Sequence, residues 1–412
     1  MKILQINRNV NSGGAAIVAY RLHSYINQKT DSKSYIYCRY FCQNNSYENV
    51  KQFYKGLSGR IFNLAIDGIE KITGLQYFFQ KDFRYIVDDE WFKSADVVHF
   101  HITHGGYINQ WFIAKVAQYK PVVWTLHDMW AITGRCAHPN DCEKWKTGCG
   151  HCQYENYYPS TLIDTSSFLW NIKKNIYKKI KINIVAPSVW LYNKLPDSIL
   201  KHCNSFIIRN AVDTEIFKPN DKLYLRKRLN IPKDKFIFLF VAHGGIFNFY
   251  KGFRYLQKAL LKIYQKKLRP FLIVIGGEKN ISLSNLGIEG VFIKTISNDL
   301  LMAQYYAASD CFVCSSTQEN APLTIIESFA CQRPVIAFKV GGIPEMIEHM
   351  KTGYLSESIN EDELAKGMEW IMLLDKKEYD SVAQECVNTV TKKYNLENQV
   401  EKYLNLYKSI IV

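Results

Sequence analysis

The sequence predicts an α/β protein built from two doubly wound domains with parallel sheets. Three observations carry that prediction. The 412 residues exceed what one hydrophobic core usually covers. Short apolar runs recur just before glycine turns: Met1–Ile6 before Gly13-Gly14, Phe236–Val241 before Gly244-Gly245, and Phe271–Ile275 before Gly276-Gly277. Residues 310–345 then read as strand, helix, strand, turn and helix, the repeating unit of a parallel sheet.

In the first half, Met1–Ile6 is a strand, and Asn11-Ser12-Gly13-Gly14-Ala15-Ala16 leads into a helix over 15–27. Glycines between a strand and a helix let backbone approach a phosphate or a sugar, and the helix N-terminus favours anions. Tyr35–Cys38 is the second strand. Residues 57–72 place Leu57, Ile61, Leu64, Ala65, Gly68 and Ile72 at helical spacing. They read first as a helix packed on the sheet, with a lipid- or acceptor-facing amphipathic segment as the alternative. Val97–His101 is a strand with His99 and His101 on one face, followed by His104-Gly105-Gly106. Val122–Leu126 is the next strand, and it sets His127-Asp128 at its carboxyl end, where ligands bind in such sheets.

Cys136, Cys142, Cys149 and Cys152 follow within seventeen residues, and the last two form a Cys-x2-Cys pair. They are candidate ligands of a structural zinc, and free thiols packing a loop are the equal alternative. Residues 170–181, with five lysines among Ile and Tyr, read as a solvated helix face. Binding of that helix to an anionic bilayer is the alternative. Strands over 182–186 and 206–209 close the half, and Pro219-Asn220-Asp221 is the linker.

The second half starts again with the strand 236–241. Lys251-Gly252 opens a helix, and a lysine beside a glycine turn suits a diphosphate. Strands over 271–275 and 291–293 precede a helix over 299–308. After the strand 310–316, Asn320 is the expected N-cap and Pro322 falls in the first turn of a helix running to about 331. Glu319 stands in the loop at the strand's carboxyl end, and Glu327 lies inside the helix. At about 100° per residue Glu327 falls roughly 40° from Leu323, on the flank of the apolar stripe. A carboxylate so placed needs a partner, and hydroxyl-rich ligands supply one. Strand 334–338, the turn Gly341-Gly342, a helix opened by Pro344, and helices over 361–374 and 396–409 finish the chain.

Composition sets bounds. Apolar residues make up 47% and charged residues 22%, as in ordinary globular proteins. No apolar run is long enough to span a bilayer. The N-terminal MKILQINRN reads as a strand, so the eleven cysteines are expected to be reduced and the chain cytoplasmic. A net charge of +14 suits an anionic membrane surface or phosphorylated substrates. No nucleic-acid-binding motif is present, and nucleic acid is not an expected partner.

Glu319 and Glu327 with seven residues between, followed by PVIAFKVGGIPE, resemble the E-x7-E and GG-x-PE signatures of retaining GT-B glycosyltransferases of family 4. WTLHDMW resembles that family's histidine motif. WTLHDMW with the downstream cysteines resembles members that act in bacterial exopolysaccharide, lipopolysaccharide and colanic-acid-type assembly. RNAVDTEIFKP resembles the segment that closes the family's first domain.

The resemblance implies the GT-B fold: two Rossmann-like domains facing a cleft, an acceptor domain over 1–215 and a nucleotide-sugar domain over 216–393. A C-terminal helix over 394–412 crosses back to the first domain. It implies transfer of a sugar from a nucleotide-diphosphate donor, a UDP- or GDP-sugar, to a glycan or lipid-linked acceptor, with anomeric retention and no catalytic metal. The chain would then work in the cytoplasm, peripheral to the inner face of the membrane. By the same resemblance His127 and Glu319 are catalytic, and Glu327 holds the ribose hydroxyls. Gly13, Gly14, Lys251, Gly341 and Gly342 face the diphosphate, and Asn320, Ala321, Pro322 and Leu323 line the donor sugar. The family's usual arginine six residues before the lysine is Gly245 here, which leaves Lys251 to act with backbone donors, His243 or Arg254. A nucleotide-sugar 2-epimerase of the same fold and a non-catalytic sugar-binding protein are the alternatives.

Overall fold

The structure is a computed structural model that describes residues 1–10, 12–40, 47–54, 56–155, 158–242, 244–276 and 282–411. Asn11, His243 and Gly277 lie outside the described residues, as does the side chain of Leu57. The chain divides into two compact units, residues 1–208 with 399–412, and residues 209–398.

Among the described residues the first unit holds seven strands: β1 (Lys2–Asn9), β2 (Lys33–Tyr40), β3 (Val50–Gln52), β4 (Val97–Phe100), β5 (Val122–Thr125), β6 (Asn183–Ala186) and β7 (Asn204–Ile207). They form one sheet in the order β3-β2-β1-β4-β5-β6-β7. The pairings are parallel, with Leu4 beside Tyr35 on one side and Val98 on the other. Strands β4 and β5 are buried along their whole length, as expected of short apolar strands covered on both faces. Strand β3 carries little apolar signal and was not legible in the sequence.

Helix α1 (Gly14–Lys29) follows β1 and buries Ala16, Val18, Leu22 and Ile26. The helix Leu396–Ile410 ends the chain, and its residues from 399 onward belong to this unit. Tyr403 bonds Thr125 at 2.8 Å, and Tyr407 bonds His99 Nδ1 at 2.7 Å.

Helix α2 (Gly56–Thr73) reverses the packing expected of residues 57–72. Ile61, Leu64 and Ile72 face outward, and Asn63 and Glu70 are buried. The buried polar groups are satisfied from distant segments, which is why this face can turn inward. Arg39 Nε donates to Asn63 Oδ1 at 2.7 Å, and Asn63 Nδ2 donates to the Gly106 carbonyl at 3.0 Å. Glu70 accepts from the Phe79 amide at 2.9 Å and from Gln80 Nε2 at 3.0 Å. Asp67 pairs with Arg39.

The lysine-rich helix spans Ser166–Tyr177 and is not a fully solvated face. Lys173 is buried, and its Nζ donates to the carbonyls of Trp130 at 2.7 Å and Thr133 at 3.1 Å.

The second unit carries six described strands: β8 (Ile237–Val241), β9 (Phe271–Ile275), β10 (Gly290–Ile293), β11 (Cys311–Cys314), β12 (Val335–Phe338) and β13 (Gly353–Ser356). Their order is β10-β9-β8-β11-β12-β13, with parallel pairings. Both units are therefore doubly wound α/β domains of Rossmann type. In each sheet the strand order reverses at one place, between β1 and β4 and between β8 and β11.

Two expectations of local structure are corrected here. Helix Leu323–Ala330 takes Pro322 as its N-cap, so Asn320 lies further upstream in the loop and is buried there. Pro344 opens only a short 3-10 turn, Ile343–Glu345. The linker stretch hid a further helix, Lys222–Arg228, whose N-cap Asp221 accepts from the Tyr224 amide at 3.0 Å. Helix Lys376–Lys393, closed at its start by the Asp375–Glu378 capping box, carries little apolar periodicity in the sequence because its exposed face is almost entirely polar.

Candidate functional site

The candidate residues gather at the carboxyl ends of strands beside each sheet's reversal point, the usual ligand-binding place in open α/β sheets. In the first unit Gly13 follows β1 with φ of +89°, a conformation in which a side chain would be strained. Its carbonyl accepts from the amides of Ala16 and Ile17, which starts α1. A Cβ built at Gly13 or Gly14 would meet nothing within 4 Å. The turn thus leaves open space in front of a helix N-terminus, whose first-turn amides favour an anion.

His127 follows β5 and belongs to a line of buried hydrogen bonds. His101 Nε2 lies 2.8 Å from Gln5 Oε1, and His101 Nδ1 lies 3.1 Å from His127 Nε2. With Gln5 Oε1 as acceptor, His101 carries its proton on Nε2, and His127 Nε2–H donates to His101 Nδ1. His127 Nδ1 is then the basic nitrogen of a neutral ring. Gln5 Nε2 in turn donates to Ser34 Oγ at 2.9 Å, and Ser34 Oγ lies 3.0 Å from His23 Nδ1. Burial pulls the His127 pKa down to about 4, with the neighbouring His104 adding to the effect against Asp128. His101 is lowered further, by burial and by the two flanking histidines. The line is therefore neutral at ordinary pH and fixes the imidazole of His127. His101 and Gln5 were not singled out as site residues in the sequence; the shared face of β1 and β4 was the signal for them.

Asp128 turns the other way. His104 Nε2 lies 2.8 Å from its Oδ2, and the Trp130 amide donates to its Oδ1 at 2.8 Å. Burial would raise this carboxyl, but His104 and the amide outweigh burial and hold it down to about 2.

In the second unit Lys251 ends the short turn Phe249–Lys251. Gly252 follows with φ of +64°, and a Cβ there would stand 2.0 Å from the Ser315 carbonyl oxygen. Only glycine lets this turn press against the end of β11. The contact delivers Lys251 Nζ to within 2.6 Å of Glu319 Oε1. Burial opposes the lysine's charge, but Glu319 overcomes it and raises the Lys251 pKa, so the group stays cationic.

Gly341 packs on the same loop with φ of +55°, and a Cβ would meet the Glu319 carbonyl oxygen at 1.7 Å. The Gly342 amide donates to that carbonyl at 3.2 Å. The Gly342 amide thus helps to hold the Glu319 loop. Ala321 is tied down by Asn210, whose Nδ2 donates to its carbonyl at 2.8 Å. Glu327 is buried in helix Leu323–Ala330 and accepts from the Tyr306 hydroxyl at 3.3 Å.

Gly245, in place of the family's arginine, is buried and opens a 3-10 turn with φ of +73°. The Arg254 guanidinium lies over the rings of Phe249 and Tyr255.

No zinc site is shown at the cysteine loop. Among the described residues no three His, Cys, Asp or Glu side chains are grouped so as to hold a metal ion. Cys149 Sγ accepts from the Gly134 amide at 3.1 Å, and Cys152 Sγ faces the Arg135 guanidinium at 3.7 Å. Burial raises Cys136 to about 12 and Cys149 to about 11.

Residues 221–388 match the family model described as glycosyl transferases group 1. Over the full length of both chains the protein is 27% identical to a putative colanic acid biosynthesis glycosyl transferase, WcaC, of Escherichia coli. Its fold is similar to that of sucrose-phosphate synthase from Thermosynechococcus elongatus, with a TM-score of 0.70 and 18% identity over 99% of this chain and 98% of that one. Anabaena HepE, solved in complex with UDP-glucose, aligns with a TM-score of 0.67 and 16% identity over 99% of this chain and all of its own. These similarities are those of GT-B proteins, and the described pair of Rossmann-like units agrees with that fold.

Proposed function

With a glycosyl transferases group 1 domain in its second unit the chain is a glycosyltransferase, and we propose that it moves a sugar from a nucleoside-diphosphate donor to a lipid-linked glycan with the anomeric configuration retained, as a family 4 enzyme of surface-polysaccharide assembly. In that reaction the anomeric C–O bond to the diphosphate breaks and a bond to the acceptor hydroxyl oxygen forms. The hydroxyl proton leaves with the nucleoside diphosphate. Negative charge grows on the leaving diphosphate, so a fixed cation there lowers the barrier.

The observation that carries the reading is Lys251, held cationic 2.6 Å from Glu319 at the end of β11. Lys251 faces the diphosphate, and Glu319 bonds sugar hydroxyls while anchoring the lysine. Glu327 takes the ribose diol, with the Tyr306 hydroxyl fixing one carboxylate oxygen. The backbone of Asn320, Ala321, Pro322 and Leu323 lines the sugar, and Gly13-Gly14 leave room for the anionic part of the donor. His127, neutral and held by His101, orients the donor sugar or the incoming acceptor hydroxyl. The WcaC similarity supports the polysaccharide class, and the HepE complex supports a UDP-sugar donor.

A thermal-shift series with UDP, GDP, ADP, CMP and their sugars, followed by product analysis, tests the reading. A ligand that binds only the folded state raises the melting temperature by mass action. A shift with a uridine or guanosine diphosphate, lost in Glu327→Ala, supports it. A normal shift and normal turnover in Glu327→Ala reject the assignment of that residue.

A further inference from the structure

We propose that the outward face of helix α2 is a docking surface for an anionic lipid bilayer. Apart from buried Ile66, the helix turns its described large apolar side chains outward, the reverse of a soluble domain's usual surface helix. At about 100° per residue Asn63, Asp67 and Glu70 lie within roughly 60° of one another, and they point into the unit. On the opposite side Ile61, Phe62, Leu64, Ile69 and Ile72 are each at least half exposed. Isolated exposed apolar residues are normal, but five on one helical face are not.

The patch extends past the helix. The Leu162 amide donates to the Lys71 carbonyl at 3.1 Å, which brings exposed Leu162 and Ile163 to the helix end. Phe78 stacks on exposed Phe168 at 6.5 Å and contacts exposed Phe79.

Charge selects the occupant. The exposed charged residues of the helix are Arg60 and Lys71, both basic, flanking the apolar face. Its two acids turn inward, Asp67 to Arg39 and Glu70 to the Phe79 amide. Next to the patch Lys81 lies 3.4 Å from the centre of the exposed Tyr85 ring, a lysine–aromatic pair suited to a membrane interface. A second copy of the chain would bring another +14 charge against the first, which opposes self-association. An anionic bilayer is attracted by the same charge. Among the described residues no helix is long and apolar enough to cross a membrane, so α2 would lie in the interface plane.

The inference rests on the lipid-linked acceptor of the proposed function for its purpose, but the following test needs neither donor nor acceptor. The full chain is floated with phosphatidylcholine vesicles, with and without phosphatidylglycerol, beside Ile61→Gln/Ile72→Gln and Arg60→Gln/Lys71→Gln variants. Sedimentation velocity and melting temperature are read on the same samples. The expected result is flotation with phosphatidylglycerol vesicles that falls about tenfold in each variant, with melting unchanged because the sites are exposed. No flotation of the parent chain overturns the proposal, as does flotation unaffected by both variants. A stable dimer that Ile61→Gln/Ile72→Gln converts to monomer also overturns it, in favour of a second copy. Donor-induced thermal shifts, read separately, report on the proposed activity and can fail or hold independently.

Discussion

Lys251 Nζ lies 2.6 Å from Glu319 Oε1, although 68 residues separate them in the chain. The contact exists because two glycines permit it: Gly252 lets the lysine turn approach Ser315, and Gly341 lets the next loop approach the Glu319 carbonyl. If Lys251 stabilises a leaving diphosphate, Lys251→Met lowers kcat/KM by roughly a hundredfold or more, the scale for losing one fixed donor to developing charge. Lys251→Arg restores part of it. Initial rates on the preferred donor check this, and equal loss in both variants would point to a structural role instead.

Gly341→Ala puts a methyl group where the Glu319 carbonyl oxygen stands, in a left-handed backbone conformation. The cost is about 1–3 kcal/mol from strain alone, before the clash is relieved. A fall of several degrees in melting temperature is expected. Gly14→Ala is the control: nothing lies within 4 Å of its added Cβ, so melting is unchanged. Weaker donor binding in Gly14→Ala would mark that space as ligand-filled.

Acid should destabilise the first unit. Burial lowers the pKa of His23 and His127 to about 4 and of His99 to about 3, from an ordinary value of 6.5. A folded pKa below the unfolded one favours the neutral protein. The contribution is fully present above pH 6.5 and is lost as pH falls from there toward 4. Melting temperature is therefore expected to drop steeply between pH 6.5 and 4.5. Donor turnover should show no acid limb from His127 protonation above about pH 5. A bell-shaped profile with an inflection near 6.5, removed by His127→Gln, would contradict the neutral relay through His101.

Asn210→Ala removes the Nδ2 donor at 2.8 Å from the Ala321 carbonyl. The net loss is about 1 kcal/mol, placed in the loop that would line the donor sugar. KM for the donor is expected to rise severalfold with kcat little changed. An unchanged KM would place Asn210 in the fold alone.

Much of this site was legible along the chain. The strand–glycine–helix pattern located Gly13-Gly14 and Lys251-Gly252, and the stretch from Glu319 to Gly342 showed two acids and a glycine pair in register with strands. Buried parallel strands read clearly because both faces are apolar and the runs are short. The amide of Gly342 and the bond from Asn210 were not legible, since each depends on a carbonyl brought from another segment.

The sequence by itself determined the two doubly wound domains, the positions of their principal strands along the chain and the residue types at the strand ends, because periodicity and glycine turns are local. Tertiary structure alone decided which way those residues face. Helical spacing in 57–72 says that Ile61, Leu64 and Ile72 share a face, but it cannot say whether that face is buried. Arg39, Gln80 and the Gly106 carbonyl decide it, by meeting Asn63, Asp67 and Glu70 from far along the chain. The satisfied polar face is held inside, and the apolar face is left to the solvent side.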